Sequence, residues 1–120
     1  MDDYNLGVVE SRFAEIIWQH EPIGSGELVK RSNQELGWKK ATTYTVLRKL
    51  CERGIFQNQN SVVSSVISRE KFAGMQCESF VDEKFDGSLP AFVNAFTRQR
   101  RLTPEEVAEL SRLIESYSEE

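Results

Sequence analysis

The chain is poor in the residues that build catalytic and metal centres. Its 120 residues include one histidine, two cysteines and three prolines. His20 follows Trp18-Gln19 near an expected helix end, where it reads as a C-terminal helix residue and not a ligand. Cys51 and Cys77 lie far apart, with no CxC or CxxC spacing, and no set of His, Cys and carboxylates has the spacing of metal ligands. There is no glycine-rich phosphate loop and no nucleophile–base set, and the acids at helix starts read as caps. No enzymatic activity, cofactor or metal is therefore expected. No apolar run approaches the ~20 residues of a membrane span, and Met1-Asp2-Asp3-Tyr4 lacks the basic and apolar regions of a secretion signal. The expectation is a cytoplasmic protein with no membrane partner, in which a disulfide is not anticipated.

Negative charge is in excess overall, at −4, but it is unevenly spread. Residues 1–72 hold 10 Lys and Arg against 9 Asp and Glu, net +1, whereas residues 73–120 hold 5 against 10, net −5. Within 28–53 there are seven cations (Lys30, Arg31, Lys39, Lys40, Arg48, Lys49, Arg53) and two anions (Glu35, Glu52). A local basic patch governs phosphate affinity more than overall charge does.

That patch centres on the stretch from Trp38 to Gly54. It reads as a helix closed by Gly54, since glycine past the last turn is a common stop. Val46, Leu47, Leu50 and Cys51 share one face at helical spacing, which makes Cys51 a small core residue. The remaining positions are mostly cations and hydroxyls, suited to phosphate oxygens and base edges. The candidate DNA-binding residues are Lys39, Lys40, Thr42, Thr43, Thr45, Arg48, Lys49 and Arg53. Thr42 and Thr45, near the start on the outward face, are the candidate base readers.

The segment before it has Ser25 as candidate N-cap, Glu27 in a first turn, Leu28 and Val29 on a buried face, and a break from Asn33 to Gly37. Helix, short glycine-containing connection and basic helix make a helix-turn-helix, whose second helix enters the major groove. Upstream, Leu6, Val9, Phe13, Ile16 and Ile17 predict an amphipathic helix from about Val8 to His20, stopped by Pro22. Trp18 belongs to the same core. Downstream, Ile55-Phe56-Gln57-Asn58 and the β-branched run from Ser61 to Ser68 predict a hairpin turning at Gln59-Asn60. Residues 6–68 thus read as a winged helix-turn-helix.

Three more helices follow. The first opens at Arg69-Glu70 and ends at Gly87, with Phe72, Met75, Cys77, Phe80, Val81 and Phe85 as its apolar members. The second carries Leu89, Phe92, Val93 and Phe96. The third starts at Thr103-Pro104-Glu105-Glu106, a capping box with proline at the first helical position. Leu102 and Val107 stand at its staple positions. Val107, Leu110, Leu113, Ile114 and Tyr117 form its apolar stripe. Helices this short and apolar call for covering, by the winged domain or by a second copy; the second copy is the expectation. The candidate dimerisation residues are Phe92, Phe96, Val107, Leu110, Leu113, Ile114 and Tyr117. The fold class is mainly α with a small β-hairpin, in two domains: 1–69, a winged helix-turn-helix that binds DNA, and 70–120, a helical dimerisation domain.

The ordered elements carry a family resemblance across nearly the full length. Its pieces are Leu6, Glu10, Phe13 and Ile17-Trp18; Trp38, Thr42-Thr43-Tyr44-Thr45-Val46-Leu47, Leu50 and Arg53-Gly54; Phe80-Val81 and Phe85-Asp86-Gly87-Ser88-Leu89; and Leu102-Thr103-Pro104-Glu105-Glu106 with Leu110. In this order and spacing the chain resembles the BlaI/MecI/CopY, or penicillinase repressor-like, family of bacterial repressors. The resemblance implies an N-terminal winged helix on a palindromic operator, with helix 39–53 in the major groove, and a three-helix dimerisation domain. Three departures stand out. The family wing carries a Gly-Arg pair and a later Tyr, where this chain has Val62, Val63 and Ile67. The antibiotic-responsive members are cut at an Asn-Phe bond, where this chain has Ala95-Phe96, with Asn94 one residue early. The copper-responsive members end in a cysteine-rich tail, where this chain ends Ser118-Glu119-Glu120. The expected partners are operator DNA and a second copy of the chain; the inducing signal is open. A competing reading is a winged-helix protein-interaction module without DNA binding, which the acidic pI and uncharged wing favour.

Overall fold

The computed structural model describes residues 5–118. Met1-Asp2-Asp3-Tyr4, on which the expected lack of a secretion signal rests, and the final Glu119-Glu120 lie outside the described residues. The described elements run α1 (Val8–His20), β1 (Ile23–Gly24), α2 (Ser25–Leu36), α3 (Lys40–Glu52), β2 (Phe56–Gln59), β3 (Val62–Ser65), α4 (Arg69–Phe85), α5 (Leu89–Gln99) and α6 (Pro104–Ser118). The described residues divide into two compact units, the first running to Ser79 and the second starting at Phe80. The mainly α architecture with a small antiparallel sheet is the one expected.

In the first unit, α1 buries Phe13, Ala14, Ile16 and Ile17. Val9, counted on that face, is 45% exposed. The α1 start is satisfied by Gly7 N–H donating to Glu10 Oε1 at 3.1 Å. Past its end, the Glu21 carboxylate accepts from both Ser65 N–H and Ser65 Oγ at 2.8 Å, which pins β3 to the segment after α1.

The α2 boundaries differ from expectation at both ends. Gly24, not Ser25, is the N-cap. Ser25 is the first helical residue, buried, with its Oγ accepting from Tyr44 Oη at 3.2 Å. The helix also continues through 33–36, the stretch expected to break it. Leu36 gains contact with the core there, and the stop falls instead at Gly37. Gly37 takes φ +70°, and the Gly37 and Trp38 N–H groups donate to the Asn33 and Ser32 carbonyls, satisfying the last turn.

The sheet holds one strand more than expected. Its order is β1-β3-β2, with Ile23 opposite Val63 and Gly24 opposite Val62. Two residues carry too little periodicity to announce a strand. The hairpin turns at Asn60-Ser61, one residue later than predicted, because Gln59 pairs with Val62. Both turn residues have positive φ, 54° and 65°, as a two-residue turn matched to strand twist requires. The first strand keeps its expected length but starts one residue later, and the second is shorter than the predicted run from Ser61 to Ser68. At the hairpin base Val66 and Ile67 N–H both donate to the Ile55 carbonyl.

Side chains of α1, α2, α3 and the sheet meet in one core, with Phe13, Ile17, Ile23, Leu28, Leu50, Ile55, Phe56 and Val63 fully enclosed. Trp18 is half-buried, as its amphipathic ring allows. It packs on Phe56 and Phe72 at centroid distances of 5.2 and 5.6 Å, while its Nε1 donates to the Ile67 carbonyl at 3.1 Å. The start of α4 is held to this unit by buried Phe72 and by an ion pair of Arg69 with Glu15.

In the second unit the rings of Phe80, Phe85, Phe92 and Phe96 form a connected cluster, with successive centroids 5.7–6.2 Å apart. Ser88 caps α5, accepting from Ala91 N–H at 3.1 Å. The capping box of α6 forms as read: Glu106 N–H donates to Thr103 Oγ1 at 3.1 Å and Thr103 N–H to Glu106 Oε1 at 2.9 Å. Neither α5 nor α6 has a buried residue.

Candidate nucleic-acid interface

One side of α3 is fixed by the core. Thr43, Leu47 and Leu50 are its buried residues, at intervals of four and three. At ~100° per residue, Ala41, Thr42, Thr45, Arg48 and Lys49 then fan over the opposite side, and all five are exposed. Lys39, Lys40 and Arg53 are exposed at the two ends.

The burial of Thr43 corrects one expectation. Its side chain is 0% exposed, and its Oγ1 donates to the Lys39 carbonyl at 3.2 Å. Thr43 therefore serves the core and cannot meet DNA from this position. Its hydroxyl had suggested a contact, but the same group satisfies itself on the helix backbone. Thr45 makes the same kind of bond, to the Ala41 carbonyl at 2.9 Å, yet stays exposed with its oxygen lone pairs open.

The electrostatics of this face favour an external anion. Among the described residues, the ion pairs are Arg31–Glu27, Arg69–Glu15 and Arg100–Glu106. Among the described residues, Lys39, Lys40, Arg48 and Lys49 thus form no ion pair, not even with the exposed Glu52 of the same helix. Arg53 donates to the Asn5 carbonyl at 3.4 Å.

Sequence reasoning missed two residues that position this face. Tyr44 and Ser25 join α3 to the start of α2, and Ser25 N–H donates in turn to the Ser61 carbonyl at 2.8 Å. Ser25 had the signature of a cap, which concealed this link. Ala41 was also passed over; it is exposed in the first turn, where a small apolar side chain can approach a thymine methyl.

The second unit presents a different surface. Between α5 and α6 lies an open apolar groove of about 560 Å³, lined by Phe92, Val93, Phe96, Leu102, Leu110 and Leu113 among others. Val107, Ile114 and Tyr117 are exposed on α6. Arg100 lies over the Phe96 ring at 5.0 Å and pairs with Glu106 at 3.0 Å. The hydrogen bond from Arg100, then that from Thr103 N–H, brings the Glu106 carboxyl down to about 2.

Cys51 is half-buried, and burial raises its pKa, so the thiol is not activated. Cys77 is exposed. Among the described residues no group of His, Cys, Asp and Glu could hold a metal ion, and no helix is long and apolar enough to cross a membrane.

The family model described as penicillinase repressor matches residues 6–116. A curated relative, the penicillinase repressor of Bacillus licheniformis, is 24% identical over 112 residues, covering 90% of this chain and 88% of that one.

Proposed function

This chain belongs to the penicillinase repressor family, a family of DNA-binding transcriptional repressors, and from that premise we propose that it acts as a homodimer on a palindromic operator. Residues 1–69 bind DNA and residues 70–120 dimerise. Helix 39–53 enters the major groove, with Lys39, Lys40, Arg48, Lys49 and Arg53 on phosphates and Thr42 and Thr45 at base edges. The observation that carries this reading is the exposed α3 face with four cations that have no carboxylate partner among the described residues. Phosphates supply the missing anions, and releasing their counterions supplies affinity. The apolar α5–α6 groove supports the dimer, because a two-fold copy would cover it with the same surface.

The test is a polarisation titration of the wild type and a Lys40→Ala, Lys49→Ala double variant on promoter DNA of the protein's own operon, at two salt concentrations. Each phosphate contact contributes about 0.9 to the slope of log affinity against log salt. The double variant should lose close to two such contacts and weaken on all sequences alike. An unchanged slope removes α3 from the interface and favours the second reading, a protein-interaction module, to which the pI of about 5.1 points.

A further inference from the structure

Residues 54–68 contain no charged side chain, and they span the whole β2–β3 hairpin. A hairpin beside a DNA-binding helix could clamp phosphates with cations; this one has none. It carries four consecutive carboxamides instead, Gln57, Asn58, Gln59 and Asn60. Two of them are used within the hairpin: Gln57 Nε2 donates to Ser64 Oγ at 3.1 Å, and Gln59 Nε2 to Gln57 Oε1 at 3.4 Å. Asn58 and Asn60 are exposed, and neither side chain is hydrogen-bonded among the described residues. Asn60 stands at the tip, the first residue of the turn, with φ +54°.

The tip is tied to α3. Ser61, the other turn residue, accepts from Ser25 N–H at 2.8 Å, and Ser25 Oγ accepts from Tyr44 Oη at 3.2 Å. Tyr44 lies in the second turn of α3, flanked by the exposed Lys40, Thr42, Thr45 and Arg48. The turn is thus two hydrogen bonds from the face that carries the cations.

We propose that the hairpin tip is a neutral second reader of DNA, in which the Asn58 and Asn60 amides hydrogen-bond to base edges in the minor groove beside the site of α3. This rests on the DNA-binding proposal above. An amide N–H can donate to adenine N3 or thymine O2 on the groove floor, whereas the guanine amino group of a G·C pair projects from that floor and holds the donor away from the acceptors beneath it. The tip therefore selects A·T pairs flanking the α3 site. Having no charge, it releases no counterions and adds nothing to the salt slope.

The experiment uses the full chain and a labelled duplex that the wild type selects from a random-sequence pool, remade with A·T-only or G·C-only flanks. Two variants are compared by polarisation over about 50–200 mM salt, with circular dichroism to confirm folding. The first combines Asn58→Ala with Asn60→Gly, glycine keeping the left-handed turn. It should bind A·T-flanked DNA about tenfold more weakly, with the flank preference gone and the slope unchanged. The second, Asn58→Lys, should steepen the slope by about 0.9, because a cation there reaches the backbone. Wild-type affinity and flank preference in the first variant, or an unchanged slope in the second, overturns the proposal. If no duplex is selected by the wild type, DNA binding itself fails, a result separate from both, and this proposal falls with it.

Discussion

Replacing Leu110 by aspartate probes the proposed two-fold contact most directly. Leu110 lines the α5–α6 groove and is 41% exposed. Fully burying a leucine contributes roughly 1.5–3 kcal/mol, so covering this remainder contributes about 0.6–1.2 kcal/mol per protomer. A two-fold interface counts it twice, at about 1.2–2.4 kcal/mol. Leu110→Ala should therefore weaken the dimer by about ten- to sixtyfold. Aspartate removes the same burial and adds an unpaired carboxylate from each side. One uncompensated buried charge costs about 3–5 kcal/mol, so the loss is at least about 4 kcal/mol, or roughly a thousandfold in dissociation constant. Sedimentation equilibrium from nanomolar to high micromolar protein resolves both steps. Operator affinity should fall with dimer population, because a monomer reads one half-site. A wild type that stays monomeric at micromolar concentration, or an aspartate variant that dimerises like the wild type, refutes the reasoning.

Two further outcomes are expected. Glu106 has its pKa lowered from 4.5 to about 2 by Arg100 and Thr103; a folded value below the unfolded one stabilises above pH 4.5, and that contribution fades as pH falls towards 2. Far-UV circular dichroism should show Glu106→Gln losing less helix over this interval than the wild type; matching titrations would remove the capping box from the pH response. Co-expression with a lactam-sensing membrane protease and antibiotic should leave the chain full length, since Ala95-Phe96 stands where the family has Asn-Phe; a fragment ending near Asn94 or Ala95, with repression lost, contradicts this.

Much of the fold is written in periodicity. The α1 bounds, the Gly54 stop, the Gly87 end of α4 and the Thr103-Glu106 box can all be read because each depends on residues within one helical turn. What the sequence conceals depends on partners far along the chain. β1 exists because Ile23 and Gly24 find Val63 and Val62, some forty positions away. Ser25 has the chemistry of a cap, but Tyr44 claims its hydroxyl. The turn at Asn60-Ser61 follows from strand register, which residue preferences at Gln59-Asn60 do not set. On α3 the cations are legible as a class. Thr43 differs from Thr42 and Thr45 only by its angle around the helix, and the core decides that angle.

The position of β2 in the sheet has a consequence for solubility. With the order β1-β3-β2, one side of β2 is an open edge. Natural edges are guarded by lysine, proline or bulges against pairing with another chain. The stretch 54–68 has no charge and no proline, and asparagine and glutamine ladders favour stacked strands. Brevity is the guard that remains: β2 is four residues long, bounded by the Asn60-Ser61 turn and by the double hydrogen bond on the Ile55 carbonyl. Any insertion that lengthens this hairpin would offer a longer uncharged template, so the wing tolerates changes of side chain better than changes of length.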